Sequence, residues 1–200
     1  MRKFAAILLV VLAIGIAGCS DSRSTAPTAP TLTEAPRAGL LLGFISTSTT
    51  LRRTSPLGGD LTVSARIGSE GGVIAIPEAG LRVVVPAGAV AVPTNFSATA
   101  VQGRAVAYEF QPHGVVFAKP LVVTQELRGT EWFGIPILNF RAGYFSDRTK
   151  LDTEKATVQL DEILPLSLDL LRLQARFNVP HFSGYVISTG RSKSATPDDN

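Results

Sequence analysis

Thiol and imidazole chemistry is scarce in this chain. A single cysteine, Cys19, rules out an intramolecular disulfide, and two histidines, His113 and His181, are too few for a three-histidine metal site. No histidine–carboxylate spacing is diagnostic of a mixed site, so no metal is expected. Runs of like charge are absent, and aromatics are not interleaved with Lys and Arg, which argues against a nucleic-acid surface. The chain also lacks a phosphate loop, a nucleotide-binding glycine fingerprint and the Gly-x-Ser-x-Gly elbow of serine hydrolases. Neither a cofactor nor an enzymatic activity on an external substrate is expected.

What is present begins with the position of Cys19. Arg2 and Lys3 precede an apolar stretch from Phe4 to Ile16, and the small residues Ala17 and Gly18 precede the cysteine. A basic start, a short apolar run and small residues before a cleavage point are the marks of an export signal, and the run is too short to span a bilayer comfortably. A thiol placed at that point suits acceptance of a diacylglyceryl group, so the pattern predicts a bacterial lipoprotein with Cys19 as its first mature residue. Two acyl chains give stable anchoring at about 0.8 kcal/mol per buried CH₂. In a two-membrane bacterium, Ser20 rather than Asp after the cysteine favours the outer membrane. Loss of Arg2 and Lys3 takes the 19 basic residues to 17 against 16 acidic ones, a net charge of about +1.

Four regions follow from composition. Residues 1–18 form the signal. Residues 19–60 are the lipidated terminus and a Ser/Thr/Ala/Pro-rich tether, with an apolar island at Leu40-Leu41-Leu42 and Phe44-Ile45 and a solvated or membrane-proximal pair at Arg52-Arg53. Residues 61–189 carry period-two patterning punctuated by Gly and Pro, which predicts an all-β antiparallel sandwich rather than βαβ units. Residues 190–200 read as a polar tail. Within the sandwich, Val84 is assigned to the inner face, Lys119-Pro120 to the start of an edge strand and Leu166 to Val179 to a strand; Leu164 to Arg176, whose leucines also suit a helix, is read as a long strand with a bulge.

Three stretches read together resemble a known module. Gly71-Gly72-Val73-Ile74 to Pro77, then Gly80-Leu81-Arg82-Val83-Val84-Val85-Pro86-Ala87-Gly88-Ala89-Val90, then Phe110-Gln111-Pro112-His113-Gly114-Val115-Val116-Phe117-Ala118-Lys119-Pro120-Leu121 are similar to the ZU-five domain. That family takes its name from zonula-occludens proteins and the Unc-class netrin receptors, and similar domains occur in bacterial exported lipoproteins. The resemblance implies a β-sandwich and, since family members mostly mediate protein contacts, a protein partner. Pro86, Gly88 and Gly114 carry architecture in their own right: Pro86 ends a strand, and the glycines permit the turns after it and before Val115.

The resemblance also implies one candidate chemistry. In some ZU-five proteins a His-Phe-Ser segment cleaves itself, and His181-Phe182-Ser183 stand here in that order. Ser183 Oγ would attack the Phe182 carbonyl in an N-to-O acyl shift with His181 moving the proton, and water would then hydrolyse the ester. A relaxed amide resists this, so the peptide would have to be held distorted. The alternative is packing, with Phe182 and Val186 inward and His181, Ser183 and Tyr185 on the opposite face of a terminal strand. His113, in a Pro-His-Gly turn, is expected to be exposed or bonded to backbone. Trp132, Phe133 and Tyr144 are the one aromatic group that hints at a further alternative, a carbohydrate-binding or surface-enzyme accessory domain, although aromatics at a sandwich rim are more often core or cap residues.

Overall fold

The computed structural model describes residues 47–191. Its strands are β1 (Thr47–Thr50), β2 (Arg52–Leu57), β3 (Leu61–Ile67), β4 (Gly72–Ile76), β5 (Leu81–Val85), β6 (Thr94–Ala100), β7 (Gly103–Ala105) and β8 (Ala107–Gln111). They continue with β9 (Val116–Glu126), β10 (Arg141–Phe145), β11 (Leu151–Asp152), β12 (Thr157–Gln159), β13 (Glu162–Leu164), β14 (Ser167–Asp169), β15 (Gln174–His181) and β16 (Gly184–Arg191). Short 3₁₀ turns lie at Pro77–Ala79, Ile137–Asn139 and Arg148–Lys150, and there is no α-helix among the described residues.

Every pairing between these strands is antiparallel. One sheet runs β11-β12-β1-β16-β8-β6-β3, with β10 joined to β16 and β13 joined to β10. The other runs β14-β15-β9-β5-β4, and β2 pairs with β7 apart from both. Phe96, Tyr108, Phe110 and Tyr185 from the first sheet meet Ile74, Val83, Val123 and Phe177 from the second in one buried core. This is the antiparallel all-β sandwich that the period-two pattern predicts. A smaller cluster, including Ala107, Phe145, Val158 and Val186, packs as a second core.

Several local expectations are corrected. The sheets begin before Leu61, because β1 and β2 occupy positions assigned to the tether, and β16 runs past Thr189 to Arg191. Alternation in β1 is visible only once its partners are known: Ser48 and Thr50 are buried although both are polar. The stretch from Leu166 to Val179 is a hairpin rather than one strand. Asp169 Oδ1 accepts the Arg172 N–H at 3.0 Å and Leu173 adopts φ 53°, closing a turn that no glycine or proline announces.

Lys119-Pro120 does not open an edge strand, since β9 lies at the centre of its sheet. The proline is accommodated by a break in the ladder: Val179 pairs with Leu121, the next paired residue His181 faces Val116, and β5 pairs with β9 only from Val122 onward. Val84 is half-buried on the outer face, while Leu81, Val83 and Val85 point into the core. As expected, β5 stops before Pro86, and Gly88 and Gly114 both take φ +77°.

Candidate functional site

The His181-Phe182-Ser183 segment joins the end of β15 to the start of β16, and so passes from one sheet to the other. Phe182 is 1% exposed, at the centre of an aromatic group. Its ring meets Phe96 and Phe117 edge-on at 4.9 Å each and stacks on Phe110 at 5.3 Å. The backbone is bonded on both sides to the β8–β9 connection. Phe182 N–H donates to the Val115 carbonyl at 3.1 Å, Gly114 N–H donates to the Phe182 carbonyl at 3.2 Å, and Phe110 N–H donates to the Ser183 carbonyl at 2.9 Å. The Phe182–Ser183 peptide is trans, and neither residue has a positive φ.

Beside this, Tyr185 O–H donates to the His181 carbonyl at 2.8 Å, and His181 Nδ1 lies 3.3 Å from the same hydroxyl. Burial, then the neighbouring Tyr144 and Glu162, push the Tyr185 hydroxyl well above the ordinary phenol range. The Tyr144 ring stands edge-on to His181 at 5.0 Å. Gly184 is required by packing, because a Cβ there would run into the Phe145 ring.

The expected face assignment of this strand holds for Phe182 and fails for Tyr185 and Val186. Phe182 does point inward, but Tyr185 joins it in the main core, while Val186 belongs to the second cluster. The two residues between β15 and β16 shift the alternation, so parity counted through position 182 fails beyond it.

The other candidates separate. Cys19 lies outside the described residues. His113 is exposed, and its N–H donates to Gln111 Oε1 at 3.2 Å within the turn. Trp132 and Phe133 meet edge-on at 5.9 Å, but Tyr144 packs against His181 and Tyr185 instead of joining them. No three His, Cys, Asp or Glu side chains gather to hold a metal among the described residues. A groove of about 450 Å³ beside β14 and β15 is walled by Leu164, Leu166, Phe177 and Pro180, with Ser167, Arg176 and Asn178 as its polar members.

Composition misplaces the arginine pair. Arg53 is 4% exposed, and its Nη1 donates to the carbonyls of Val101, Gly103 and Ala105 while the guanidinium lies 5.8 Å from the centre of the Tyr108 ring. Tyr108 in turn donates to Ala79 O at 2.9 Å and contacts Gln125 Oε1, and burial pushes its hydroxyl up to about 12 despite the nearby cation. Gln125 was legible in principle, since it shares the parity of Leu121 and Val123 along β9. Arg53 carried no such signal, because its partners are backbone carbonyls about fifty residues away.

No protein-family model matches the chain, and no curated protein matches it.

Proposed function

We propose that this chain is a lipid-anchored protein of the bacterial envelope whose β-sandwich is a noncatalytic interaction or envelope-structural module. The observation that carries the reading is Cys19, the sole cysteine, set behind Ile16-Ala17-Gly18 at the end of an apolar run with a basic start. The resemblance to ZU-five modules supports a protein partner. The bonding of residues 181–183 supports a packing role, since the carbonyl of the amide that would react accepts from Gly114 N–H, the amides on either side of it are bonded to Val115 and Phe110, and the Phe182 ring fills the aromatic core. With Ser20 following the cysteine, the outer membrane is the favoured destination in a two-membrane cell.

Fractionation of the native envelope tests the anchor. Wild-type protein should partition with membranes, and Cys19→Ser should leave them or remain unprocessed. Identical partition of the two proteins would refute it.

A self-cleaving form is the second reading, favoured by one contact. Gly114 N–H already donates to the Phe182 carbonyl, the oxygen on which negative charge would develop if Ser183 attacked. Cleavage would release Ser183 to Asn200, 18 residues, which the β16 ladders would retain until denaturation. Ser183→Ala would abolish the cut and Ser183→Cys would retain it.

A further inference from the structure

The densest group of exposed large apolar side chains among the described residues lies in a connection, not in a strand. Trp132-Phe133-Gly134-Ile135-Pro136-Ile137-Leu138 runs seven residues without a charge between β9 and β10. It is ordered by its own bonds: Ile135 N–H donates to Trp132 O at 3.3 Å, and Asn139 N–H donates to Pro136 O at 2.9 Å. Trp132 packs against the core and Phe140 is buried, so the loop is pinned at both ends. Between those pins Phe133 is 88% exposed, Leu138 82% and Ile137 55%. Such a cluster is costly in water and marks a surface that is covered in use.

Its position in the fold places it beside the start of the first strand. Arg141 pairs with Ser188 on one side of β16, and on the other side Ser48 pairs with Arg191 and Thr49 with Gly190. The loop before β10 and the start of β1 therefore emerge at the same end of the sheet, on strands that flank β16 and so lie roughly 10 Å apart. The hairpin between β14 and β15 shares the loop's starting end, where Leu127 N–H donates to Leu173 O at 2.8 Å, and its tip residue Leu171 is 98% exposed. Thr47 is 28 residues from Cys19, a distance the chain can bridge in any orientation of the domain.

We infer that this end of the sandwich is a bilayer-contacting face, with Phe133, Ile137 and Leu138 seated at the boundary between headgroups and acyl chains. The inference rests on the lipid-anchored reading, which keeps a bilayer within tether reach of the domain, while the exposed apolar tip beside the start of β1 selects the end that meets it. Aromatic and aliphatic side chains on a rigid tip suit that boundary, where an interfacial element sinks by about 5–10 Å. Charge agrees with it. Arg128 and Arg141 flank the apolar run and can meet lipid phosphates, while Glu131, its acidic neighbour, is already paired with Arg52 at 3.5 Å and Arg104 at 3.4 Å. Arg141 also donates to Leu138 O at 2.8 Å, which holds its charge beside the tip.

Trp132 is the only tryptophan in the chain, so its emission reports this loop alone. The full-length protein, purified from membranes, is reconstituted into phosphatidylethanolamine–phosphatidylglycerol vesicles whose acyl chains are brominated near the headgroup end. Emission should fall to about half of that in unbrominated vesicles if the loop sits at interfacial depth. A doubly substituted Phe133→Asp, Leu138→Asp protein should still float with the vesicles through Cys19 but lose the quenching. The mass of the N-terminal peptide is read on the same sample. Acylated protein that floats with unquenched emission overturns the inference and leaves the anchor standing, as does a loop crosslinked to a second copy or to a protein partner in the native envelope. Protein without acyl mass overturns the anchor, and the inference falls with it.

Discussion

Phe182 is held by three rings at once, and a substitution there removes all three contacts. Phe182→Ala should cost about 3–5 kcal/mol in chemical denaturation, whereas Ser183→Ala should change stability by no more than about 1 kcal/mol. The reverse ranking would mean that the serine, not the ring, is the reason for the segment. Val83 and Val84 form a second contrast. Val83→Asp places an unpaired charge among fully buried neighbours and should unfold the domain, while Val84→Asp, opposite the outer-face residues Val73 and Val122, should cost about 1 kcal/mol. The distinction was legible: Arg82 and Val84 share a parity, and an exposed arginine fixes which face looks outward. Three successive valines hid it.

At the scale of elements, strands with alternating or continuous apolar runs were readable, and the errors fall where tertiary bonding overrides local composition. β1 reads as Thr-Ser-Thr-Thr and has no apolar face; it is a strand because β16 and β12 lie on either side of it. The β14–β15 turn is closed by an aspartate side chain, and the Pro120 break depends on where β5 ends. Charged contacts between elements were equally invisible. Arg148 Nη1 reaches Asp60 at 2.7 Å and Glu109 at 3.0 Å, tying the turn before β3 to β8. Its hydrogen bond holds the Asp60 carboxyl below the usual aspartate value of 3.8.

A lowered folded-state pKa adds stability above the unfolded value, and that stability is lost as pH falls through the folded one. Arg148→Ala should therefore remove stability at pH 7 and show a shallower decline than wild type below about pH 4. Because both side chains are more than a third exposed, solvent screening keeps the effect under about 1 kcal/mol. Equal acid sensitivity in the two proteins would show that the pair is energetically silent.

For the molecule as a whole, the features that concern function lie at opposite ends of what a sequence can disclose. The proposed lipid signal is local and needs no structure to be read. The proposed bilayer-facing end needs topology, because nothing in residues 132–138 tells that they emerge beside the first strand. The His-Phe-Ser segment lies between the two: its residue types are visible in sequence, but its bonding to the β8–β9 connection is a property of the assembled sandwich. The central claim joins these observations as a lipid-anchored sandwich that remains one chain. Intact mass of the protein extracted from its native envelope under denaturing conditions tests it most directly. A single species should run from Cys19 to Asn200 and carry diacylglyceryl mass at its first residue. An unmodified N-terminus, or a chain ending at Phe182, would contradict it.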